Sequence, residues 1–453
     1  MLNVLFFTLF FFGVFVENAH AYLDPGTSSL LLSSIVAIFA SIVFALKGFF
    51  YKITSGTGFS FKRASQADKQ KGIVIYSEGR QYFSTFKPIV DEFERRNYPY
   101  TYYTSDEKDP ILEFKTQLGH IEFIGSSNDA YRKLNSLVAD ICLVTFPQLD
   151  VLQIKRSKGV AHYCHLLHAL SHVDTYEIFA LDYFDSVLSN SPIHTDFIRR
   201  VEDFRHLKKK EICIVGCTYL DYLQEKLKTL HLPEPSKNQP PTILVAPSWG
   251  RNALFAKYGM RLLKPLLDIG YPVIIRPHPQ SYISQAELLQ SLKEQTAHYT
   301  NLKWDSRTDN IFAMAESSLM ISDFSGVLVD YIALFNRPVL TPQFEFNTVG
   351  YDIQLSTQTT PWAKEYLPTV ATIFQESDLD NLKTLIDSAL VDAQKARARA
   401  ESTQLLWQHP GEAGKRSALE LIRIHKGILE QSLGAQLETH QQLIAINAQL
   451  KNA

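Results

Sequence analysis

Apolar and polar positions divide the chain into three regimes. The first fifty residues carry two apolar runs, MLNVLFFTLFFFGVFV and SSLLLSSIVAIFASIVFALKGFF, and residues 53–71 are polar. From residue 72 onward, short continuous apolar runs alternate with segments whose apolar residues recur every three to four positions. Runs bounded by turn residues read as strands buried on both faces, and the longer periodic segments read as helices. GIVIYSE, YPYTYYTS, IEFIG, ADICLVTF, KGVAHYCHLL, DSVLSNS and EICIVGC predict strands within residues 72–232. HLPEPSKNQPP then reads as a linker, rich in Pro and polar residues. The alternation resumes over 240–390. There TILVAP, YPVIIRPHP, LMISDFS and RPVLTP read as strands, and GMRLLKPLLDIG, TDNIFAMAESS and GVLVDYIALF as helices. Residues 391–453 read as C-terminal helices. The expected fold is α/β: two Rossmann-like lobes of parallel sheet with a ligand cleft between them.

The N-terminal runs change this picture. Residues 1–21 have the pattern of a signal peptide, with Ala19-His20-Ala21 as a small-x-small cleavage site but no Lys or Arg before the apolar stretch. Residues 22–52 contain an uncharged run long enough to span a bilayer, turned into it by Pro25-Gly26. Lys47, Lys52, Lys62, Arg63, Lys69 and Lys71 follow with Asp68 as the one acid among them. Such a flank stays cytoplasmic. The expectation is a single-pass protein of the inner (plasma) membrane, its body facing the cytoplasm behind a tether at 53–71.

Composition removes some functions. The 453 residues carry a formal net charge of -2, without the basic excess of a general nucleic-acid binder. Cys142, Cys164, Cys213 and Cys217 lie in strand-like surroundings, as buried thiols of a reducing compartment do. His162, Cys164, His165, His168 and His172 cluster without any regular ligand spacing, and no acidic pair forms a metal site. Neither a metal nor a cofactor is expected.

Three strand ends in the second lobe carry candidate chemistry. Ile321-Ser322-Asp323-Phe324-Ser325-Gly326 runs from a strand into a helix, where small residues let backbone amides and the helix dipole meet an anion. Plain helix capping by Ser and Asp is the competing reading. In Ile275-Arg276-Pro277-His278-Pro279, alternation puts Arg276 and His278 on one face, and the prolines end the strand. A guanidinium and an imidazole there suit a diphosphate, against a merely structural Arg paired to a carboxylate. Ala246-Pro247-Ser248-Trp249-Gly250-Arg251 ends a further strand, offering Ser248 and Arg251 to a donor. Trp249 either stacks on a base or covers the lobe. In the first lobe, His165 and His168 are the candidate general bases, and the residues do not decide between them. Gly79 and Arg80 follow the first strand and so face the cleft.

APSWG, IIRPHPQ and ISDFSGVLVDY with RPVL after it, the His-rich run with LDYFDSVLSNSP, and HPGEAGKRSALELI together resemble the CDP-glycerol glycerophosphotransferase family of teichoic-acid polymerases and primases. The resemblance spans residues 155–425, and Gly326 stands where the family has a second small hydroxyl residue. It implies a GT-B-like fold. It also implies that a CDP-polyol donor is held by His278 and Ser322–Gly326 with Arg276 nearby, that Asp330 matches an acidic motif position, and that a first-lobe His is the base. The implied reaction moves glycerol phosphate, or a similar polyol phosphate, to a membrane-linked saccharide in cell-envelope polymer synthesis. Two rivals remain on the same fold: a glycosyltransferase using a sugar nucleotide, and a non-catalytic membrane-tethered nucleotide-binding protein.

Overall fold

The computed structural model describes residues 71–230, 239–307, 309–346 and 348–451. The expected signal peptide, membrane span and all but the last residue of the tether lie outside these residues, as does most of the expected linker. Among the described residues, no helix is long and apolar enough to cross a membrane.

The first lobe is built on seven parallel strands: β1 Lys71–Ser77, β2 Tyr100–Thr104, β3 Gly119–Phe123, β4 Val138–Val144, β5 Gly159–Leu166, β6 Ser186–Ser189 and β7 Glu211–Ile214. Their order is β3-β2-β1-β4-β5-β6-β7. The second lobe has six: β8 Ile243–Val245, β9 Val273–Ile275, β10 Leu302–Trp304, β11 Leu319–Ile321, β12 Val339–Pro342 and β13 Thr372–Phe374, in the order β10-β9-β8-β11-β12-β13. Every ladder pair is parallel. Both sheets therefore reverse winding direction at one point, between β1 and β4 and between β8 and β11. A crevice opens at the carboxyl ends of the strands flanking such a reversal.

Burial on both faces explains the continuous apolar runs. Ile73, Val74 and Ile75 of β1 are buried, as is every residue of β8, β9 and β11. Helices cover both faces of each sheet, and the side chains pack into four clusters, two on each lobe. The helix Gly326–Phe335 is apolar nearly all round and ends at Asn336, whose φ of 50° supplies the left-handed residue that stops a helix. Arg337 then donates to the carbonyls of Met314, Ala315 and Ser317, closing the end of the helix Ile311–Glu316. Cys142, Cys164 and Cys217 are buried free thiols, and Cys213 is half-buried.

Two segments of chain tie the lobes together. After β12, residues 348–361 reach back over the first lobe. Ile353 sits in the first-lobe core, and Asp352 accepts from Phe179 N (2.8 Å) and from Arg205 Nη2 (2.7 Å). Asp174 of the first lobe accepts from Trp362 N at 2.6 Å, at the start of the second-lobe helix Trp362–Val370. Later the chain returns for good. The helix Ala413–Lys451 packs Ala418, Leu421 and Ile424 against Ile73, Phe86 and Ile89. The turn before it wraps the Asp221 carboxylate, which accepts from Gly411 N and Ala413 N (both 2.8 Å). Gly216, at φ +96°, lies so close to this turn that an added Cβ would stand 2.4 Å from Gln408 O. That position admits only glycine.

Candidate active site

The carboxyl edge of the second sheet is assembled by side chains that bond within the lobe. Ser322 is buried, and its hydroxyl donates to Ala246 O at 2.6 Å, tying β11 to β8 beyond the ends of both strands. Asp323, also buried, accepts from Ser248 N (2.9 Å) and Leu254 N (2.7 Å). Burial raises the Asp323 pKa and the two amides oppose the rise. Both carboxylate oxygens thus face the 248–254 loop. Gly250 in that loop has φ +104°, and its amide and carbonyl bond reciprocally to the Gln285 carboxamide.

Ser325 is the N-cap of the helix Gly326–Phe335, in extended backbone and without a side-chain capping bond. Leu328 N bonds to Ser325 O at 3.1 Å, the amides of Gly326 and Val327 have no partner among the described residues, and the dipole adds partial positive charge. Ser325 and Gly326 line an open cavity of about 620 Å³ together with Ser171, His172, Asp174 and Thr175 of the first lobe. A Cβ added to Gly326 would lie 3.6 Å from Ser171 Oγ, so the lobes meet here.

His278 is half-buried beyond β9. Its Nδ1 accepts from Gln280 N at 3.1 Å. The neutral ring therefore carries its proton on Nε2, which has no partner among the described residues and can donate. Burial lowers its pKa. The exposed Trp249 ring lies 6.4 Å from the imidazole, so the ends of β8, β9 and β11 form one continuous edge. Arg276 points elsewhere: its Nη1 donates to Asp305 Oδ2 (2.6 Å) and to Arg307 O (2.8 Å). Arg251 is exposed and has no ion-pair partner among the described residues. Asp330, one turn into the helix, is buried; desolvation pushes its pKa up to about 7, and its Oδ1 finds no protein partner.

The first-lobe histidines separate clearly. His165 on β5 is fully buried against Phe184 (ring centroids 5.0 Å), and both ring nitrogens lack a side-chain or backbone bond of good geometry. Desolvation lowers its pKa to about 3. His168 lies past the end of β5, partly accessible, edge-on to Tyr82 at 5.2 Å, its pKa lowered to about 4 by burial. Three residues further on, Ser171 borders the cavity. His172 is held by Asp174 N and Ile193 O and stacks on Trp362 at 5.9 Å. Arg80 forms a bidentate pair with Asp106 (2.5 and 2.7 Å), and Gly79 caps the short turn that Arg80 begins.

Sequence reasoning did not single out Ser171, Asp174, Tyr351 or Trp362, which reach the cavity from distant parts of the chain. No local pattern marks them; they meet only because residues 348–361 cross between lobes. Among the described residues one group has metal-ligand proximity, Glu211, Cys213 and Glu420, and the Arg423 guanidinium already pairs with both carboxylates.

Comparison with solved structures returns the same architecture. A variant of the wall teichoic acid polymerase TagF soaked with CDPG is 17% identical, with a TM-score of 0.50 over 88% of this chain and 98% of that one. The UDP-GlcNAc 2-epimerase of Methanocaldococcus jannaschii, in complex with UDP-GlcNAc and UDP, is 13% identical, with a TM-score of 0.52 over 78% and 99%. That of Neisseria meningitidis, bound to UDP-GlcNAc, is 12% identical with a TM-score of 0.51 over 78% and 99%. At these identities the likeness speaks for the fold alone, a GT-B-like pair of lobes. No curated protein matches the sequence. The family model described as CDP-Glycerol:Poly(glycerophosphate) glycerophosphotransferase matches residues 151–378, half of the chain, from before the His-rich strand of the first lobe through the carboxyl edge of the second sheet. The chain belongs to this glycerophosphotransferase family and is a transferase of that kind.

Proposed function

We propose that the protein transfers glycerol phosphate, or a similar polyol phosphate, from a CDP-activated donor to a hydroxyl of a membrane-linked saccharide, in the synthesis of a teichoic-acid-like envelope polymer. The observation that carries this reading is the junction at Gly326. There a second-lobe helix begins beside Ser171 with the amides of Gly326 and Val327 unpartnered, and Ser171 stands three residues beyond the partly accessible imidazole of His168. The donor diphosphate rests on those amides, with Arg251 and His278 Nε2 as further donors. Ser322 and Asp323 act through the loops they hold, because their polar atoms are already bonded to Ala246, Ser248 and Leu254.

In the reaction, the acceptor oxygen forms a bond to the phosphorus bearing the polyol. The bond from that phosphorus to the CMP oxygen breaks, and the acceptor proton passes to His168. Burial lowers the His168 pKa, so the ring is neutral near pH 7, and the charge developing at the reacting oxygens must raise its basicity as the proton moves. Departing CMP carries away the bridging oxygen with its electron pair, beside the His278 Nε2 proton. Positioning and charge stabilisation supply most of the acceleration in such phosphoryl transfers. The N-terminal apolar run and its basic flank support anchoring in the inner membrane with the body in the cytoplasm, where CDP-linked donors and lipid-linked acceptors meet.

The test is to incubate full-length protein in detergent with CDP-glycerol, other CDP-polyols and UDP-sugars, plus a bacterial lipid extract. Release of CMP with CDP-polyols only, with label entering the lipid fraction, is the expected outcome. Turnover of UDP-sugars alone would establish the sugar-nucleotide reading instead.

A further inference from the structure

A second cavity, open to solvent, lies wholly within the first lobe. Its lining residues follow the carboxyl ends of β1, β2, β3 and β4, so it occupies the crevice at the winding reversal of the first sheet. Glu78, Ser105, Ser126, Ser127, Gln148 and Gln153 supply its polar groups. Tyr76, Tyr131, Phe146 and Leu152 supply apolar walls. The rim is held in uncommon backbone: Gly125 at φ 86°, Ser127 at φ 50° with ψ -118°, and Gln148 at φ 60°. Non-glycine residues persist in such conformations where the surroundings impose them, and ligand sites are where they gather.

The charge of the lining decides what fits. No Lys or Arg lines the cavity, and Glu78 is its one ionisable acid. Of the cations on the bounding segments, Arg80 pairs with Asp106, Arg132 with Asp129 and Lys133 with Glu122; Lys155 is held by the carbonyls of Asp150 and Val151, and the exposed Lys108 does not line the cavity. A phosphate entering here would meet a carboxylate and no countercharge. A sugar ring would find what it needs. A carboxylate accepts from two vicinal hydroxyls, serine hydroxyls and glutamine amides bond the rest, and aromatic faces pack against the C–H side of the ring.

The cavity is also wired to the proposed base. Burial raises the Glu78 pKa and the neighbouring Tyr82 hydroxyl opposes the rise, and the Tyr82 ring stands edge-on to His168 at 5.2 Å. A ligand bonded to Glu78 is one side chain away from that imidazole. We infer that this cavity is a subsite for an uncharged, polyhydroxylated sugar, and that it selects such an acceptor over a phosphate-bearing chain end. Its role as acceptor subsite rests on the transferase reading above; its preference for a neutral sugar rests on the lining alone.

The experiment uses full-length protein in detergent and two probes, the neutral disaccharide N,N'-diacetylchitobiose and glycerol 3-phosphate. Binding is measured without donor, by saturation-transfer NMR and calorimetry, for the wild type, Glu78→Gln and Leu152→Arg. CDP affinity and the melting temperature serve as folding controls. The disaccharide should bind the wild type about tenfold or more tighter than glycerol 3-phosphate, Glu78→Gln should weaken it about tenfold, and Leu152→Arg should shift preference towards the phosphate. Glycerol 3-phosphate binding as tightly as the disaccharide, or disaccharide binding untouched by both substitutions, overturns the inference. CMP release is followed separately. Sugar binding lost in Glu78→Gln alongside an inability to turn over any CDP-linked donor would keep the sugar site and remove the transferase reading; the opposite pair of results would do the reverse.

Discussion

The two lobes share one sheet topology and differ in which buried polar groups they leave unpartnered. Along the second-lobe edge, Ser322, Asp323 and Arg276 are bonded to groups of their own lobe, and what faces the cleft is backbone with a few outward donors. Ser248 Oγ, Asp330 Oδ1 and Thr341 Oγ1 of that lobe still lack protein partners, whereas in the first lobe the unpartnered groups include whole titratable rings: His165 and His194 leave both imidazole nitrogens without protein partners, and Thr145 and Asn190 leave an oxygen each. The loops of the second-lobe edge are fixed by bonds to their own lobe, while the buried imidazoles of the first lobe carry unused hydrogen-bonding capacity, at a cost in stability.

The contrast is broken most forcefully at the base. His168→Ala should lower transfer by about 10²–10⁴-fold with CDP affinity nearly unchanged, measured as CMP release and by nucleotide titration. Loss of CDP binding in that variant would move the imidazole to the donor side.

Acid comes next, because the lobes should respond to it with opposite signs. His165 and His194 have depressed native pKa values, so the unfolded chain takes up their protons first as pH falls below the ordinary imidazole value. Between pH 7 and 5 each should cost about 2 kcal/mol of stability. Asp330 has a raised native pKa near 7, so the native state takes up its proton over the same interval and gains about 2 kcal/mol. Urea unfolding should therefore show a modest acid loss in the wild type and a steeper one in Asp330→Asn. The variant should also be the more stable protein at pH 8. Equal slopes would show that Asp330 has a partner in solution.

Asp323→Ala removes the acceptor for two buried amides. It should lower stability by about 2–3 kcal/mol and weaken CDP binding, since the 248–254 loop loses its tie. The smallest effect separates the two arginines. Arg251→Ala should weaken CDP binding about tenfold with no change in melting temperature. Arg276→Ala should act mainly on stability, by leaving the buried Asp305 with Arg307 as its remaining guanidinium partner.

Much of this architecture is legible in the chain. The long apolar runs of β1 and β4 and the motif-bearing strands β8, β9, β11 and β12 announce themselves. β10 and β13 do not: each is three residues long and sits at a sheet edge, where half-exposure dilutes the apolar signal. Motif residues were readable as a group, but not their division of labour. Strand alternation places Arg276 and His278 on one face; only the fold shows that Asp305, from another strand's end, engages the guanidinium. His165 and His168 look equivalent as letters. Three residues of separation put one inside the sheet's core and the other past its end. The cavity's cross-lobe lining depends on residues 348–361, whose path no local pattern encodes.

That path also bears on how the molecule is made. The second lobe contributes Ile353 to the first lobe's interior, and the last helix of the chain completes the first lobe after the second has been synthesised. Neither lobe is a contiguous piece of sequence, so neither can be excised as a self-sufficient fragment. A ribosome-bound first half would wait, incomplete, for strap and closing helix together. A single cut in the linker should leave two interlocked halves that co-purify and, if expressed separately, restore function only when they assemble with each other.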